Sequence, residues 1–407
     1  MHILYFHQHF STPQGSTGTR SYEMARRLIA DGHRVTMVCG SFGHGNTGLD
    51  SKFVKGRRDG VVEGITVIEF DLSYHNSDRF FRRALTFARF AFRSIVVALT
   101  EPTDIVFATS TPLTVALPGI VARWFRRKPF VFEVRDLWPE LPREMKAITN
   151  PAALAALSIL EWTAYKSAHR LIGLSPGIVK GIARHNIVAE NIAMIPNGCD
   201  TELFGNNIQP WRPDGVSPDD FLAVFAGTHG QANGLDAVID AAVELKRRGI
   251  RGIKLLLIGQ GMEKHRLVAR ADAQGVGEYV KFMDPVPKTR LTGLLAGADL
   301  GLQILANIPA FYYGTSPNKF FDYLAAGLPV LTNYPGWVAD LVLENAAGVA
   351  AGPENASAFA DALVEARSRI DGRDITRANV LALAKREFDR DLLGKQWIEF
   401  VTGAARK

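Results

Sequence analysis

Residues 1–40 read MHILYFHQHFSTPQGSTGTRSYEMARRLIADGHRVTMVCG. The short apolar run at 2–6 predicts a strand. Apolar positions then return every three or four residues over 19–31, which predicts a helix, and 34–39 predicts a second strand. Strand, helix and strand inside 40 residues is a parallel crossover unit, so the chain opens an α/β sheet.

The same alternation runs onward. Further strands are predicted at 66–71, 104–108, 130–134, 170–174 and 192–195, with helices at 78–99, 113–126, 152–168 and 176–184. After Pro196-Asn197-Gly198 the pattern breaks into a polar stretch carrying Pro210, Pro213 and Pro218, which reads as a linker. A second series follows, with strands at 221–226, 253–258, 280–283, 299–304 and 330–332. Helices between them fall at 234–247, 262–274, 288–296 and 317–326, and a last helical pattern spans 377–401. The predicted fold class is α/β, two Rossmann-like domains facing across a cleft. The expected divisions are 1–198, a linker at 199–220, a second domain at 221–375, and a terminal helix at 376–407 packing back on the first domain. Open parallel sheets take ligands at the carboxyl ends of their strands.

With 407 residues the chain is long enough for two cores. Its two cysteines, Cys39 and Cys199, have no metal-ligand spacing, so neither a disulfide framework nor a zinc site is expected. No apolar run reaches the roughly 18–20 residues of a membrane span, and the first residues do not read as a secretory leader. Residues 1–200 carry 24 Lys and Arg against 17 Asp and Glu, and the rest carry 23 against 24. The positive excess therefore lies in the first half, where it calls for an anionic partner.

Several segments could carry chemistry. After the first strand, Gln14-Gly15-Ser16-Thr17-Gly18-Thr19-Arg20 opens a helix, and small residues there let backbone N–H groups approach a phosphate. It is neither a Walker loop nor a dinucleotide fingerprint, and an ordinary strand-to-helix turn reads equally well. At 132–140, FEVRDLWPE gathers Glu133, Arg135 and Asp136 where a buried strand emerges. Asp136 could orient a hydroxyl or share its proton, with Arg135 offsetting nearby negative charge; a surface ion pair is the alternative.

At 316–327, SPNKFFDYLAAG, Ser316 reads as an N-cap, Pro317 as the first helical residue, and Gly327 as the stop. Asn318 and Lys319 then lie in the first turn, where the helix dipole disfavours a cation by about 0.3–1 kcal/mol. A lysine set against that field suits a bound anion such as a diphosphate. Asp322, three residues on, would share its face and accept from ribose hydroxyls; a plain Lys319–Asp322 pair is the alternative. Gly227 and Gly230 follow the strand at 221–226 and permit close approach to a phosphate or sugar, and His229 between them could donate to an oxygen, with a structural histidine as the alternative; Gly259 and Gly261 follow the next strand and offer a similar backbone surface, toward the nucleotide base. In the helix at 78–99, Arg79, Arg82, Arg83, Arg89 and Arg93 fall near one stripe bordered by phenylalanines, which suits an anionic membrane surface. A solvated face on a core helix is the alternative.

Together these segments resemble glycosyltransferase family 4, of GT-B fold, and within it the branch building bacterial surface polysaccharides, including fucosamine-type transferases. The resemblance covers nearly the whole chain, through residues 5–40, FEVRDLWPE, AGTHGQANGLDAVIDAA and SPNKFFDYLAAGLPVL. It implies a retaining enzyme that needs no metal or other cofactor and moves a sugar from a nucleotide-diphosphate donor through an oxocarbenium-like state. The acceptor is expected to be polyprenyl-diphosphate-linked, at the cytoplasmic face of the membrane. By the resemblance Gly15 to Gly18 face the donor, Asp136 the acceptor, Lys319 the leaving diphosphate and Asp322 the ribose. Two positions depart from the family pattern: Gly314 stands where a first glutamate is usual, and Asn233 where a lysine is usual. Lys319 would then take over the charge of both cations. A sugar-nucleotide epimerase or a non-catalytic nucleotide-sugar-binding protein on the same scaffold are the rival readings. The basic patch lacks any nucleic-acid module, and the absence of a GxGxxG fingerprint argues against a dehydrogenase.

Overall fold

The computed structural model describes residues 1–15, 18–43, 45–72, 80–205 and 208–405. The chain forms two α/β units, one of Met1–Pro196 with Gly314–Ser316 and Asp391–Lys407, the other of Asn197–Tyr313 and Pro317–Arg390.

In the first unit the chain runs β1 (His2–Phe6), α1 (Arg20–Ala30), β2 (Arg34–Gly40), β3 (Arg57–Val62), β4 (Ile65–Phe70) and α2 (Phe80–Thr100). It continues through β5 (Ile105–Thr109), α3 (Ala116–Arg126), β6 (Phe130–Val134), α4 (Glu140–Glu144), α5 (Pro151–Ser167), β7 (Arg170–Gly173), α6 (Pro176–Ala183) and β8 (Ile192–Met194). The sheet order is β3-β4-β2-β1-β5-β6-β7-β8, and only the β3–β4 pair is antiparallel. Strands β5 and β6 are buried along their whole length, as parallel strands covered on both faces must be. Because β1 lies between β2 and β5, the sheet grows first one way and then the other. The crevice expected at that reversal lies beyond the ends of β1 and β5. The sequence reading did not include β3, whose residues, RRDGVV, lack an apolar run. It forms because Glu63 and Gly64, at φ +48° and +85°, close a two-residue hairpin onto β4.

The second unit runs β9 (Phe221–Ala226), α7 (Asp236–Arg247), β10 (Ile253–Ile258), α8 (Lys264–Ala273), β11 (Val280–Met283), α9 (Lys288–Gly297) and β12 (Leu300–Gln303). Then come α10 (Pro309–Gly314), α11 (Asn318–Ala325), β13 (Val330–Thr332), α12 (Trp337–Glu344), β14 (Gly348–Ala350), α13 (Ala356–Asp371) and α14 (Arg377–Glu387). All six strands are parallel, in the order β11-β10-β9-β12-β13-β14, so growth reverses at β9 and β12. Phe221, Phe225, Leu235, Val238, Leu255, Leu257, Leu300 and Leu363 anchor its core.

The structure refines two expectations about the chain's path. The proline-rich stretch at 199–220, expected as a linker, is fastened to the second unit. The Trp211 backbone N–H and indole N–H donate to the carbonyls of Gly293 and Arg290, and the Arg212 guanidinium reaches Asp299 at 2.9 Å. A Cβ on Gly293 or Gly297 would strike the backbone at Gln209 or Trp211, at 2.6 and 2.4 Å, so α9 needs glycine where this strand crosses it. The terminal helical pattern is also two helices rather than one. Helix α14 lies in the second unit, and after a break at Phe388-Asp389, α15 (Arg390–Thr402) lies in the first from Asp391 onward. There Trp397 is completely buried, stacked on Tyr5 with ring centroids 6.1 Å apart and edge-on to Phe107 at 4.8 Å.

Candidate functional site

In the second unit the site forms where the sheet reverses. Tyr323 of α11 fixes that helix against the ends of β9 and β12: its hydroxyl accepts from the Ala226 N–H at 3.0 Å and donates to the Leu302 carbonyl. Gly301 makes room for the ring, since a Cβ there would lie 2.6 Å from it. One turn earlier this anchoring aims Lys319 back at the end of β9. Its ammonium donates to Asn233 Oδ1 at 2.9 Å, lies 4.6 Å from the Phe225 ring centroid, and has no carboxylate partner among the described residues. Its Cε would be 3.0 Å from a Cβ on Gly227, so glycine there leaves space for the lysine. Burial pulls the Lys319 pKa down to about 8. A cation desolvated beside an aromatic face and left without a counter-ion is a receptor for an anion. Asn233 occupies the position where the family resemblance placed a second lysine, and the single ammonium rests on it.

The other residues predicted for this site do not all converge on Lys319. Asp322 pairs with Lys288 at 3.1 Å, which removes the alternative of a plain Lys319–Asp322 pair. Pro317, where Ser316 was expected, holds the N-cap position of α11, and Asn318 begins the helix, exposed. Gly259 and Gly261 serve packing rather than an open backbone surface. A Cβ on Gly259, at φ +152°, would fall 1.8 Å from the Gly227 carbonyl oxygen, and one on Gly261 would fall 2.3 Å from that of His229. The two strand-end loops are therefore pressed together, with His229 N–H donating to the Gln260 carbonyl and Glu263 N–H to that of His229.

His229 is fully buried between Phe225 and Phe282 with neither ring nitrogen hydrogen-bonded, and burial, then Lys264, pulls its pKa to about 4. A Cβ on Gly230, by contrast, would meet only the Thr228 methyl, at an ordinary 3.6 Å. Gln303, at the end of β12, is also fully buried with its carboxamide unpartnered, beside Thr332 across the ladder. Sequence offered no signal for Gln303, because a polar residue ending a buried strand looks like the start of a loop.

In the first unit the segment after β6 separates into structural and reactive parts. Glu133 is wholly buried. It accepts from the Arg20 guanidinium at 2.9 and 3.1 Å, from the Thr109 hydroxyl at 2.8 Å and from the Trp397 indole at 3.2 Å. Burial opposes its charge, but Arg20 outweighs it and the carboxyl sits below the usual range. Arg20 also donates to the carbonyls of Ile195 and Pro196. One ion pair thus joins α1, β6, α15 and the segment after β8. Arg20 closed the loop motif in the sequence, but the structure gives it this role in the core.

Asp136 is half-buried and accepts from the Thr111 hydroxyl at 3.3 Å. Burial raises its pKa, with Arg135 and Thr111 pulling the other way. Arg135 also depresses His7 and His9, which follow β1 and are themselves held neutral first by burial. Asp136, Arg135, His7 and His9 therefore gather at the carboxyl edge near β1 and β5. The two histidines were missed because they stand in an aromatic run that reads as core. Gly15 donates its N–H to the Thr12 carbonyl and Gly18 is exposed; Ser16, Thr17 and Arg79 lie outside the described residues.

Helix α2 does not present one arginine stripe. Arg93 turns inward, donating to the Gly56 carbonyl at 2.7 Å and covering the Phe70 ring, and Arg83 is half-buried near His9. Arg82 and Arg89 face outward. On the same outer face lie Leu85, Phe92, Val96 and Leu99, with Phe92 70% exposed. Arg126 of α3 donates to the carbonyls of Ala98 and Glu101, holding the ends of α2 and α3 together. There Trp124 and Phe125 are exposed, as are Ile159 and Trp162 on α5, which packs beside α3.

Residues 15–198 match the glycosyl transferase 4-like domain family, and residues 220–368 match the glycosyl transferases group 1 family. A D-inositol 3-phosphate glycosyltransferase of Nocardia farcinica (strain IFM 10152) is 26% identical over 182 residues. That match spans 43% of this chain and 39% of that protein's length. Among solved structures, Anabaena Alr3699/HepE in complex with UDP-glucose superposes with a TM-score of 0.69 at 16% identity, over 99% of this chain and 100% of that one. WaaG, a glycosyltransferase involved in lipopolysaccharide biosynthesis, does so with a TM-score of 0.68 at 17% identity, over 98% and 100%. At these identities the structural likeness establishes the GT-B fold.

Proposed function

We propose that this chain, whose two parts match the glycosyl transferase 4-like and glycosyl transferases group 1 families, is a retaining, metal-independent glycosyltransferase of the family 4, GT-B type. It would move a sugar from a nucleotide-diphosphate donor to a polyprenyl-diphosphate-linked acceptor in surface-polysaccharide synthesis. The observation that carries this reading is Lys319, an ammonium held beside the reversal point of the second sheet with no counter-ion among the described residues. As the bond from the anomeric carbon to the diphosphate oxygen breaks, negative charge grows on the leaving group, and a desolvated cation stabilises that state more than the ground state. The acceptor oxygen bonds to the anomeric carbon on the same face and its proton leaves with the diphosphate, while Asp136 orients the hydroxyl. The ammonium does the charge work for which other enzymes use a divalent cation, so chelator should leave turnover unchanged. UDP-glucose bound to the structural relative HepE supports a uridine carrier here.

The placement at the cytoplasmic membrane face is supported by the outer side of α2, α3 and α5. Exposed Phe92, Trp124, Phe125 and Trp162 would enter the interface there while Arg82 and Arg89 meet anionic headgroups. Among the described residues, no helix is long and apolar enough to cross a membrane. The test is a transfer assay with a panel of UDP- and GDP-sugars on membrane extracts holding lipid-linked acceptors. Incorporation into lipid that disappears in Lys319→Met supports the proposal. Conversion of the nucleotide sugar without acceptor would favour an epimerase, and donor binding with no turnover a non-catalytic binder.

A further inference from the structure

Away from Lys319, the first unit contains a cavity that none of the roles above uses. It has a volume of about 240 Å³ and lies between the segment after β6, α4, α5 and α6. Leu137 and Pro139 form an apolar wall, and Glu140, Arg143, Glu161 and Arg184 bring two carboxyls and two guanidiniums to its edge. Gly181 shapes it, since a Cβ there would lie 2.6 Å from the Leu137 side chain.

Two of these charges, Glu161 and Arg143, are loosely matched. Glu161 is only 12% exposed and, among the described residues, has no arginine within ion-pair distance; Tyr165 lies beside it and His185 Nε2 is 3.6 Å away. Burial keeps that imidazole neutral near pH 7, with Lys166 and Arg184 acting in the same sense. Burial also lifts the Glu161 carboxyl to about 7, Glu140 adding to the shift while Tyr165 and Arg184 oppose it. Arg184 is 64% exposed and reaches Glu140 only at 3.6 Å. Arg143 has no side-chain partner among the described residues. A structural ion-pair cluster would close these gaps, as Arg20 and Glu133 do.

Balanced acids and bases around an apolar wall do not suit a phosphate, which the two carboxyls would repel. They suit a neutral polyol, whose hydroxyls accept from guanidinium and donate to carboxylate while its C–H face lies on Leu137 and Pro139. The volume is below the roughly 300–1,000 Å³ of pockets for drug-sized ligands, so it fits one ring.

We propose that this cavity binds a single neutral pyranose of the acceptor glycan, with Glu161 and Arg143 as its hydrogen-bonding partners. The assignment to the acceptor rests on the transferase reading, because the lining begins one residue after Asp136; saccharide binding itself does not.

Saturation-transfer NMR with the methyl glycosides of glucose, galactose, mannose and N-acetylglucosamine tests it, with UDP as the reference ligand. At least one glycoside should receive saturation, and the signal should fall fivefold or more in both Glu161→Gln and Arg143→Ala while the UDP signal persists. In the wild type the glycoside signal should weaken as pH drops through about 7, where the carboxylate is protonated, and the Glu161→Gln variant should show no such step. Absence of saturation for all four sugars, or signals indifferent to both substitutions, would overturn the proposal. Glycoside binding without transfer from any donor would defeat only the transferase reading. Transfer with an acceptor KM unchanged in both variants would defeat only this site.

Discussion

Each unit buries a charge near the end of a parallel strand, and the two charges are treated in opposite ways. In the first unit Glu133 is surrounded by donors, with Arg20, Thr109 and Trp397 all within hydrogen-bonding distance. In the second, Lys319 meets one amide oxygen and an aromatic face. A buried charge that the protein itself neutralises holds elements together. One left unneutralised costs stability and keeps an electrostatic attraction available for something that arrives later. The contrast separates scaffold from site more sharply than burial does, because both charges lose water, Glu133 wholly and Lys319 in part.

The largest effect should come from breaking the matched pair. Arg20→Met leaves the Glu133 carboxylate buried without its cation, which should cost about 3–5 kcal/mol, seen as a lower urea midpoint. The double variant Arg20→Met/Glu133→Gln should recover most of that loss, since no charge remains to be buried. Because Arg20 holds the Glu133 carboxyl low, the pair's stability is present above the usual glutamate pKa. It should fade in acid, as pH falls through the lowered value. A single variant no less stable than the double would mean that Glu133 finds solvent, and the comparison would fail.

Lys319→Met should do the reverse, lowering transfer by about 10²–10³-fold while raising stability. The amine drops from its usual 10.5 to about 8 on folding, which at about 1.4 kcal/mol per unit limits the gain to about 3–4 kcal/mol. The sign is that of a base with a lowered pKa. The penalty is complete below about pH 8 and vanishes above the unfolded value, so wild type and variant should converge in thermal stability as pH rises towards 10.5. UDP affinity of the wild type should also weaken above about pH 8, as the ammonium is lost.

Tyr323→Phe probes how the unmatched charge is aimed. It removes the acceptor for the Ala226 N–H, a loss of about 1–3 kcal/mol if that group stays dry. With α11 less firmly tied to β9, the KM for donor should rise more than that loss of stability explains. Unchanged donor kinetics in a destabilised variant would show that Tyr323 only holds the core.

This contrast also explains what the sequence could and could not reveal. The positions of most strands along the chain, the place of Lys319 in a first turn and that of Asp136 beside a strand end follow from local pattern, and local pattern is legible. Partnership across the sheet is not. Asp322 is three residues from Lys319, yet α11 lies so that its carboxylate meets Lys288 from α9. Gly259 and Gly261 look like a phosphate loop, but the neighbouring loop fills the space they leave. Arg20 and Glu133 are 113 residues apart, and no spacing rule joins them. The hairpin strand β3 escaped notice because its pairing, not its composition, makes it a strand.

The smallest effect applies the same distinction to α2, where two arginines one turn apart differ as Glu133 and Lys319 do. Arg93 is matched within the unit by the Gly56 carbonyl and the Phe70 ring, whereas Arg89 points outward. If the outer face of α2 meets anionic lipid, Arg89→Ala should weaken sedimentation with phosphatidylserine vesicles by about 1 kcal/mol, roughly fivefold, without changing the urea midpoint. Arg93→Ala should lower that midpoint by about 1–2 kcal/mol and leave vesicle binding as it was. Equal loss of binding in both variants would mean that the helix acts through net charge alone. The direction in which each arginine points would then carry no information about its partner.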